Sequence, residues 1–270
     1  MPELPEVETT RRGIEPYLLN QSIVRLDIFD RRLRWPVPTE VQALTGQIIT
    51  AIDRRGKYIL IRVKPGTAIV HLGMSGSLRV CTGQEPRRKH DHFQIITSTG
   101  NVIRYHDPRR FGCLLWQAAG SPDHALLVKL GPEPLSDEFN ADYLFKATRK
   151  RQVAIKNLIM NSQIVVGVGN IYASESLYMS GVRPGRAARR ITRKECEKLV
   201  MTIKDVLQHS IEQGGTTLRD FVNSDGNPGY FAQSLNVYGR EGEPCHQCGT
   251  AISQKVLGQR STFYCSRCQK

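Results

Sequence analysis

Apolar positions change their period twice along the chain. Near the start, Val7, Ile14 and Leu18 recur at roughly helical spacing after Pro5, and Glu6 and Glu8 fall in the first turn, where carboxylates complement the positive end of a helix. One helix is expected to open the chain. From residue 22 to 116 the pattern shortens to β-rich segments such as 58–63, 68–72 and 102–105, separated by Pro65-Gly66 and Thr99-Gly100. Short strands bounded by turn residues predict a β-sandwich. The segment 131–134, GPEP, breaks this pattern, and helical spacing follows to about Gln213. There Thr192 and Glu195 have the spacing of a capping box, followed by the apolar stripe Cys196, Leu199, Val200, Ile203, Leu207 and Ile211, which predicts a core helix. Gly, Asn, Asp and Pro crowd residues 223–229, which predicts a long loop. Residues 237–270 are too few for their own hydrophobic core and call for a metal staple.

Length and composition bound the function. The 270 residues suffice for two ordinary domains, and an apolar fraction of 40% supports packed cores. Thirty-eight Lys and Arg against 25 Asp and Glu leave a formal charge of +13, which suits a polyanionic partner, nucleic acid first. No apolar run reaches membrane-spanning length, and the opening MPELPEVETTRRG lacks the apolar centre of a signal peptide, so a membrane or secreted protein is not expected. Seven cysteines without an export signal point to a reducing compartment, the cytoplasm, where clustered thiols hold metal more often than they form disulfides.

Cys245, Cys248, Cys265 and Cys268 form two CxxC knuckles, the pattern of a tetrahedral Zn²⁺ held by four thiolates; with no open coordination position, such a zinc is structural. Cys81, Cys113 and Cys196 lie outside the pattern and read as buried hydrophobes. Between the knuckles, Arg260 falls at or near the turn of a hairpin, from which it can reach a phosphate. In the helical half, residues 165–170 form a turn between two helices; Gly167 and Gly169 permit close approach of backbone amides to phosphate, although a plain helix-turn-helix corner has the same signature. At the start, loss of Met1 would leave Pro2 a secondary amine. An α-amino group titrates at roughly 8, and the positive end of the adjoining helix lowers that and favours the nucleophilic form. Taken alone, Met-Pro-Glu reads as a start codon followed by a helix cap, Lys57 in RRGKY as a surface cation, and Met74 and Phe111 as core residues.

The MPELPEVE start, the HLGMSGSLR and DPRRFG segments, the VVGVGNIYASE turn and the terminal four-cysteine finger, in this order, resemble the formamidopyrimidine-DNA glycosylase family of bacterial 8-oxoguanine-DNA glycosylases over essentially the whole length. The related endonuclease VIII begins with PEGPE instead. The resemblance implies an α+β multidomain chain: an N-terminal β-sandwich with flanking helices over residues 1–133, a helical helix-two-turn-helix DNA-binding domain over 134–235, and a zinc-finger β-hairpin over 236–270. It implies a monomer that removes oxidised purines from double-stranded DNA through a Schiff base on Pro2, then nicks the strand by β,δ-elimination. Glu3 becomes the proton donor, and Lys57 and Arg260 the remaining catalytic cations. Met74, Arg109 and Phe111 fill the gap left by a flipped nucleotide. His90, Arg109 and Arg151 contact DNA, His71 and Asn170 contact phosphate, and residues 217–230 resemble the loop that closes over the flipped base. A Lys is common in the family at the place of Arg151, so the charge is kept.

Overall fold

A computed structural model describes residues 2–81, 84–215 and 235–270; the predicted closing loop, 217–230, lies outside the described residues. The chain forms two compact units, one built on Met1–Val128 and the other on Lys129–Glu212 with the finger that ends at Lys270.

The first unit opens with α1 (Leu4–Leu18), followed by β1 (Ile23–Ile28), β2 (Ile49–Arg55), β3 (Tyr58–Val63), β4 (Gly66–His71), β5 (Ser77–Cys81), β6 (Asp91–Thr97), β7 (Val102–His106) and β8 (Cys113–Ala118), and it ends in the short helix α2 (Ala125–Val128). Two four-stranded antiparallel sheets result, ordered β1-β6-β7-β5 and β2-β3-β4-β8. Alternation along each strand sends one set of side chains between the sheets, where Ile59, Ile61, Val70 and Leu114 meet Phe93, Ile95, Ile103 and Tyr105, with Val7, Ile14 and Leu18 of α1 in the same core. The second sheet is buried on its other face as well, by Leu60, Ile69, Cys113 and Leu115 packed with Trp35 and Tyr58. That double burial explains why 58–63 reads as a nearly continuous apolar run rather than an alternating one.

The second unit comprises α3 (Ala141–Thr148), α4 (Ile155–Ile159), α5 (Asn170–Ser180), α6 (Arg193–Glu212) and the hairpin of β9 (Ser253–Leu257) and β10 (Arg260–Tyr264). The predicted capping box is present: the Glu195 amide donates to Thr192 Oγ1 at 3.2 Å and the Thr192 amide to Glu195 Oε2 at 2.8 Å. Every member of the predicted stripe from Cys196 to Ile211 is buried. The finger shares its small core with the helices, since Tyr178 of α5 packs with Val237, Ile252 and Phe263. Among the described residues no helix is long and apolar enough to cross a membrane.

Candidate active site and nucleic-acid interface

Pro2 precedes the N-cap of α1, and Glu3 is that cap; both are buried. Glu3 and Glu6 close a capping box in which the Glu3 amide donates to Glu6 Oε2 at 2.8 Å. The candidate amine therefore sits at the positive end of a fixed helix, as expected from the first-turn carboxylates. Lys57 lies in the two-residue turn joining β2 to β3, where Arg55 pairs with Tyr58. A side chain that sequence reasoning overlooked ties these two features together. Arg54 Nε donates to Glu8 of α1 at 3.0 Å, and its Nη1 donates to the carbonyl of Gly56 in the turn at 3.0 Å. Burial alone would raise the Glu8 pKa, but hydrogen bonds from Arg11 and Arg12 and the charges of Arg11 and Arg54 outweigh it and hold the carboxyl ionised below the usual range.

His71 ends β4 beside Tyr58, with ring centroids 4.9 Å apart. Burial, reinforced by the Lys57 and Arg34 cations, pushes its pKa down to about 4. Its Nδ1 accepts the Gly73 amide at 2.8 Å, so the neutral ring keeps Nε2–H as a donor. A neutral N–H donor of this kind can hydrogen-bond an anion without adding charge.

His71, Met74 and Phe111 line one cavity of about 510 Å³ with Arg34, Gly73 and Arg110. Met74 is 37% and Phe111 45% exposed, so neither belongs to the core, and the Arg109 guanidinium lies 5.2 Å from the Phe111 ring centroid. Asp107 holds this arrangement. Fully buried, it accepts from Ser75 Oγ at 3.2 Å and the Arg109 amide at 3.2 Å on one oxygen, and from the Gly112 amide at 2.9 Å and Tyr105 Oη at 3.2 Å on the other. Its own amide donates to the His90 carbonyl at 3.0 Å. One residue, through its carboxylate and its amide, thus fixes the loops that carry Met74, His90, Arg109 and Phe111. The loops also touch backbone to backbone: a Cβ on Gly73 would stand 2.4 Å from the Gly112 amide nitrogen.

In the second unit Arg260 follows directly on the turn Gly258-Gln259. Two donors grip the next residue: Asn170 Nδ2 reaches the Ser261 carbonyl at 2.9 Å, and the Lys156 ammonium reaches the same carbonyl at 3.1 Å and Thr262 Oγ1 at 2.8 Å. Lys156 is fully buried, which is rare for an unmodified lysine and signals a structural duty. Asn170, the first residue of α5, is thereby brought to the finger hairpin. Arg151 lies elsewhere in the unit, on a segment paired with 186–189.

The four knuckle cysteines converge with all Sγ atoms within 4.8 Å of one another. Sulfurs on a tetrahedral zinc stand about 3.8 Å apart; Cys245 and Cys268 are at 3.9 Å and Cys248 and Cys265 at 3.5 Å. The donor set fits one structural Zn²⁺. Glu175 of α5 secures the entry to this finger, its carboxylate accepting the amides of Asn236, Val237 and Tyr238 at 2.8–2.9 Å.

Three domain families match in chain order: the formamidopyrimidine-DNA glycosylase N-terminal domain over residues 1–114, its H2TH domain over 130–222, and a zinc finger found in FPG and IleRS over 242–270. A formamidopyrimidine-DNA glycosylase of Thioalkalivibrio sulfidiphilus is 57% identical over 271 residues, covering 100% of both chains. The chain belongs to the formamidopyrimidine-DNA glycosylase family. Another relative, from Yersinia enterocolitica, is 56% identical with 100% of each chain covered. Among solved structures, the MutM (Fpg) protein from Thermus thermophilus superposes with a TM-score of 0.88 at 36% identity, covering 99% of this chain and 98% of that one. A Lactococcus lactis FPG mutant in complex with Fapy-dG-containing DNA superposes with a TM-score of 0.91 at 31% identity over 100% of each chain.

This member of the glycosylase family stores backbone strain beside its candidate contacts. Among the described residues, Asn20, Arg110, Lys150 and Gln259 are the non-glycine positions with left-handed backbone, at φ 58–63°. Left-handed backbone costs Arg, Lys and Gln roughly 1–2 kcal/mol each. Three of the four adjoin candidate DNA-contacting residues: Arg110 lies between Arg109 and Phe111, Lys150 precedes Arg151, and Gln259 precedes Arg260. No signal in the sequence marks them, because Arg, Lys and Gln have no preference for this conformation.

Proposed function

We propose that the chain excises oxidised purines, 8-oxoguanine and ring-opened formamidopyrimidines, from double-stranded DNA and then nicks the strand at the resulting site. The observation that carries the reading is the α1 N-terminus, where Pro2 adjoins the buried N-cap Glu3 in a chain of this family. With Met1 removed, the Pro2 nitrogen attacks C1′ of the flipped nucleotide, the N-glycosidic bond breaks and the base departs with a proton. Glu3 donates the proton that opens the sugar ring, leaving a Schiff base between Pro2 and C1′. Loss of a proton from C2′ expels the 3′ phosphate and a second elimination expels the 5′ phosphate. Lys57 and Arg260 stabilise the departing phosphate oxygens.

Met74, Arg109 and Phe111 occupy the gap in the duplex, Arg109 pairing with the orphaned cytosine. His90 and Arg151 contact DNA, and His71 and Asn170 hold backbone phosphate, His71 through its neutral Nε2–H. Cys245, Cys248, Cys265 and Cys268 hold the structural zinc, which gives the hairpin its stability and takes no part in bond making. The division of labour follows the chain: 1–133 carries the nucleophile, 134–235 the helix-two-turn-helix and 236–270 the finger. The enzyme acts as a monomer in the cytoplasm, at the nucleoid.

Borohydride reduction during reaction with an 8-oxoguanine duplex tests the mechanism. A covalent protein–DNA adduct at Pro2 is expected, weakened in Pro2→Gly. Absence of an adduct with wild-type protein whose mass shows Met1 removed would overturn it.

A further inference from the structure

Between residues 143 and 194 the chain carries eleven Lys or Arg and a single carboxylate, Glu175, which is buried and committed to the amides that open the finger. About half of this charge has an internal purpose. Arg186 is paired with Glu195, Arg193 with Asp142, Arg149 holds the Ile191 carbonyl, Lys156 is buried under the finger hairpin, and Arg183 lies against the Tyr264 ring. Lys146, Lys150, Arg151, Arg189, Arg190 and Lys194 differ. All six are exposed, and among the described residues their side chains make no ion pair or hydrogen bond.

Backbone pairing gathers four of them. The segment 151–155 runs antiparallel to 186–189, with the Arg189 amide donating to the Arg151 carbonyl at 2.9 Å, the Ala188 amide to Val153 at 2.9 Å and the Ile155 amide to Arg186 at 2.8 Å. Arg189 and Arg190 therefore stand beside Lys150 and Arg151. Lys194 follows in the first turn of α6, where a cation opposes the helix dipole. Grouped like charges repel one another and weaken the fold, and among the described residues no carboxylate forms an ion pair with these side chains. A polyanion supplied from outside compensates them. The cations are set along a backbone seam, an arrangement that suits a row of phosphates.

We propose that Arg189 and Arg190, with Lys150 beside them, form a phosphate-binding strip next to Arg151 that takes the backbone of double-stranded DNA beyond the contact Arg151 itself makes, lengthening the sequence-independent footprint. The inference rests on the reading that Arg151 contacts DNA. Each phosphate contact contributes about 0.9 to the slope of log affinity against log salt.

The test compares wild type with the double variant Arg189→Ser/Arg190→Ser, both full-length and zinc-loaded, binding an undamaged 30-base-pair duplex between 50 and 200 mM salt. The expected result is a slope shallower by about 1.8, with thermal unfolding and single-turnover excision at saturating 8-oxoguanine duplex unchanged. Arg189→Lys/Arg190→Lys should recover the wild-type slope. An unchanged slope in the Ser variant overturns the proposal while leaving the glycosylase reading intact. Loss of heparin binding with the DNA slope preserved also overturns it, assigning the strip to another polyanion. Wild type that excises nothing and binds duplex with no salt dependence overturns the glycosylase reading itself.

Discussion

Two hairpin turns present the candidate cations Lys57 and Arg260, and they are held by unlike means. The turn that carries Lys57 projects from a sheet buried on both faces, with Ile59, Leu60 and Ile61 nearly inaccessible immediately behind it. The turn before Arg260 projects from a two-stranded ribbon, a structure that is marginal in water by itself, and Val256 on that ribbon is 68% exposed. What apolar burial does for the first, four thiolates, the Glu175 clamp and the Lys156 contacts do for the second. Non-directional burial over many residues degrades gradually. A few directional bonds fail when one partner is lost.

The largest effect that would expose this difference is removal of zinc. Structural zinc contributes about 10–16 kcal/mol in small fingers, far more than any single side chain here. Chelation, or Cys248→Ser, should abolish hydrogen-exchange protection across β9 and β10 and eliminate strand nicking, while β3 and β4 stay protected. Finger amides that remain protected after chelation would break the comparison. Ile59→Ala, by contrast, should lower stability of the first unit by roughly 3 kcal/mol through a cavity. Its thermal midpoint falls, and the enzyme below that midpoint should still trap DNA. In the second unit Lys156→Met leaves Thr262 Oγ1 and the Ser261 carbonyl without their shared donor. A loss of about 2 kcal/mol is expected, read as faster exchange at β10 together with weaker nicking of an abasic duplex.

Asp107→Asn probes the sandwich side by the directional route. The Asn side chain keeps one acceptor oxygen but turns its NH2 toward either the Arg109 amide or the Gly112 amide, where the carboxylate accepted on both sides, at a cost of about 2 kcal/mol. Because Asp107 fixes the loops of Met74, Arg109 and Phe111, excision should fall more than global stability does. Equal losses in both would reduce Asp107 to a core residue.

Much of the fold was legible because it follows from periodicity: α1, the β-segments, the capping box at Thr192 and the stripe along α6 are repetitive patterns with one physical solution. The knuckles were legible because thiolate pairs at that spacing have few uses. Arg54, Asp107, Lys156 and Glu175 were not. Each is a charged residue whose fixing contacts, to backbone amides and carbonyls or to side chains brought in by the fold, leave no periodic signature, so nothing in the sequence pattern distinguishes it from solvated surface charge. Met74 and Phe111 were ambiguous for the opposite reason: apolar residues in a strand-rich stretch read as core, and only the Asp107-centred loops turn them outward. Arg189 and Arg190 were visible as charge, but their placement beside Arg151 depends on a pairing of segments some 35 residues apart.

The smallest predicted effect compares the turns themselves. In the first turn the left-handed position is Gly56, at φ 56°, which bears that conformation without penalty; in the second, Gly258 and Gln259 are both left-handed, at φ 55° and 63°. Gln259→Gly should relieve about 1 kcal/mol of native-state strain, partly offset by the greater freedom of glycine in the unfolded chain. The net change in thermal midpoint is therefore small and upward. If the turn is held rigid to aim Arg260 at a phosphate, the same variant should nick an abasic duplex more slowly, because glycine loosens the residue before the guanidinium. Higher stability with slower nicking would place Gln259 among residues whose strain serves function. Unchanged nicking would mean that the grip of Lys156 and Asn170 on Ser261 suffices to orient Arg260, and that the finger turn, like its counterpart at Lys57, needs only a backbone able to close.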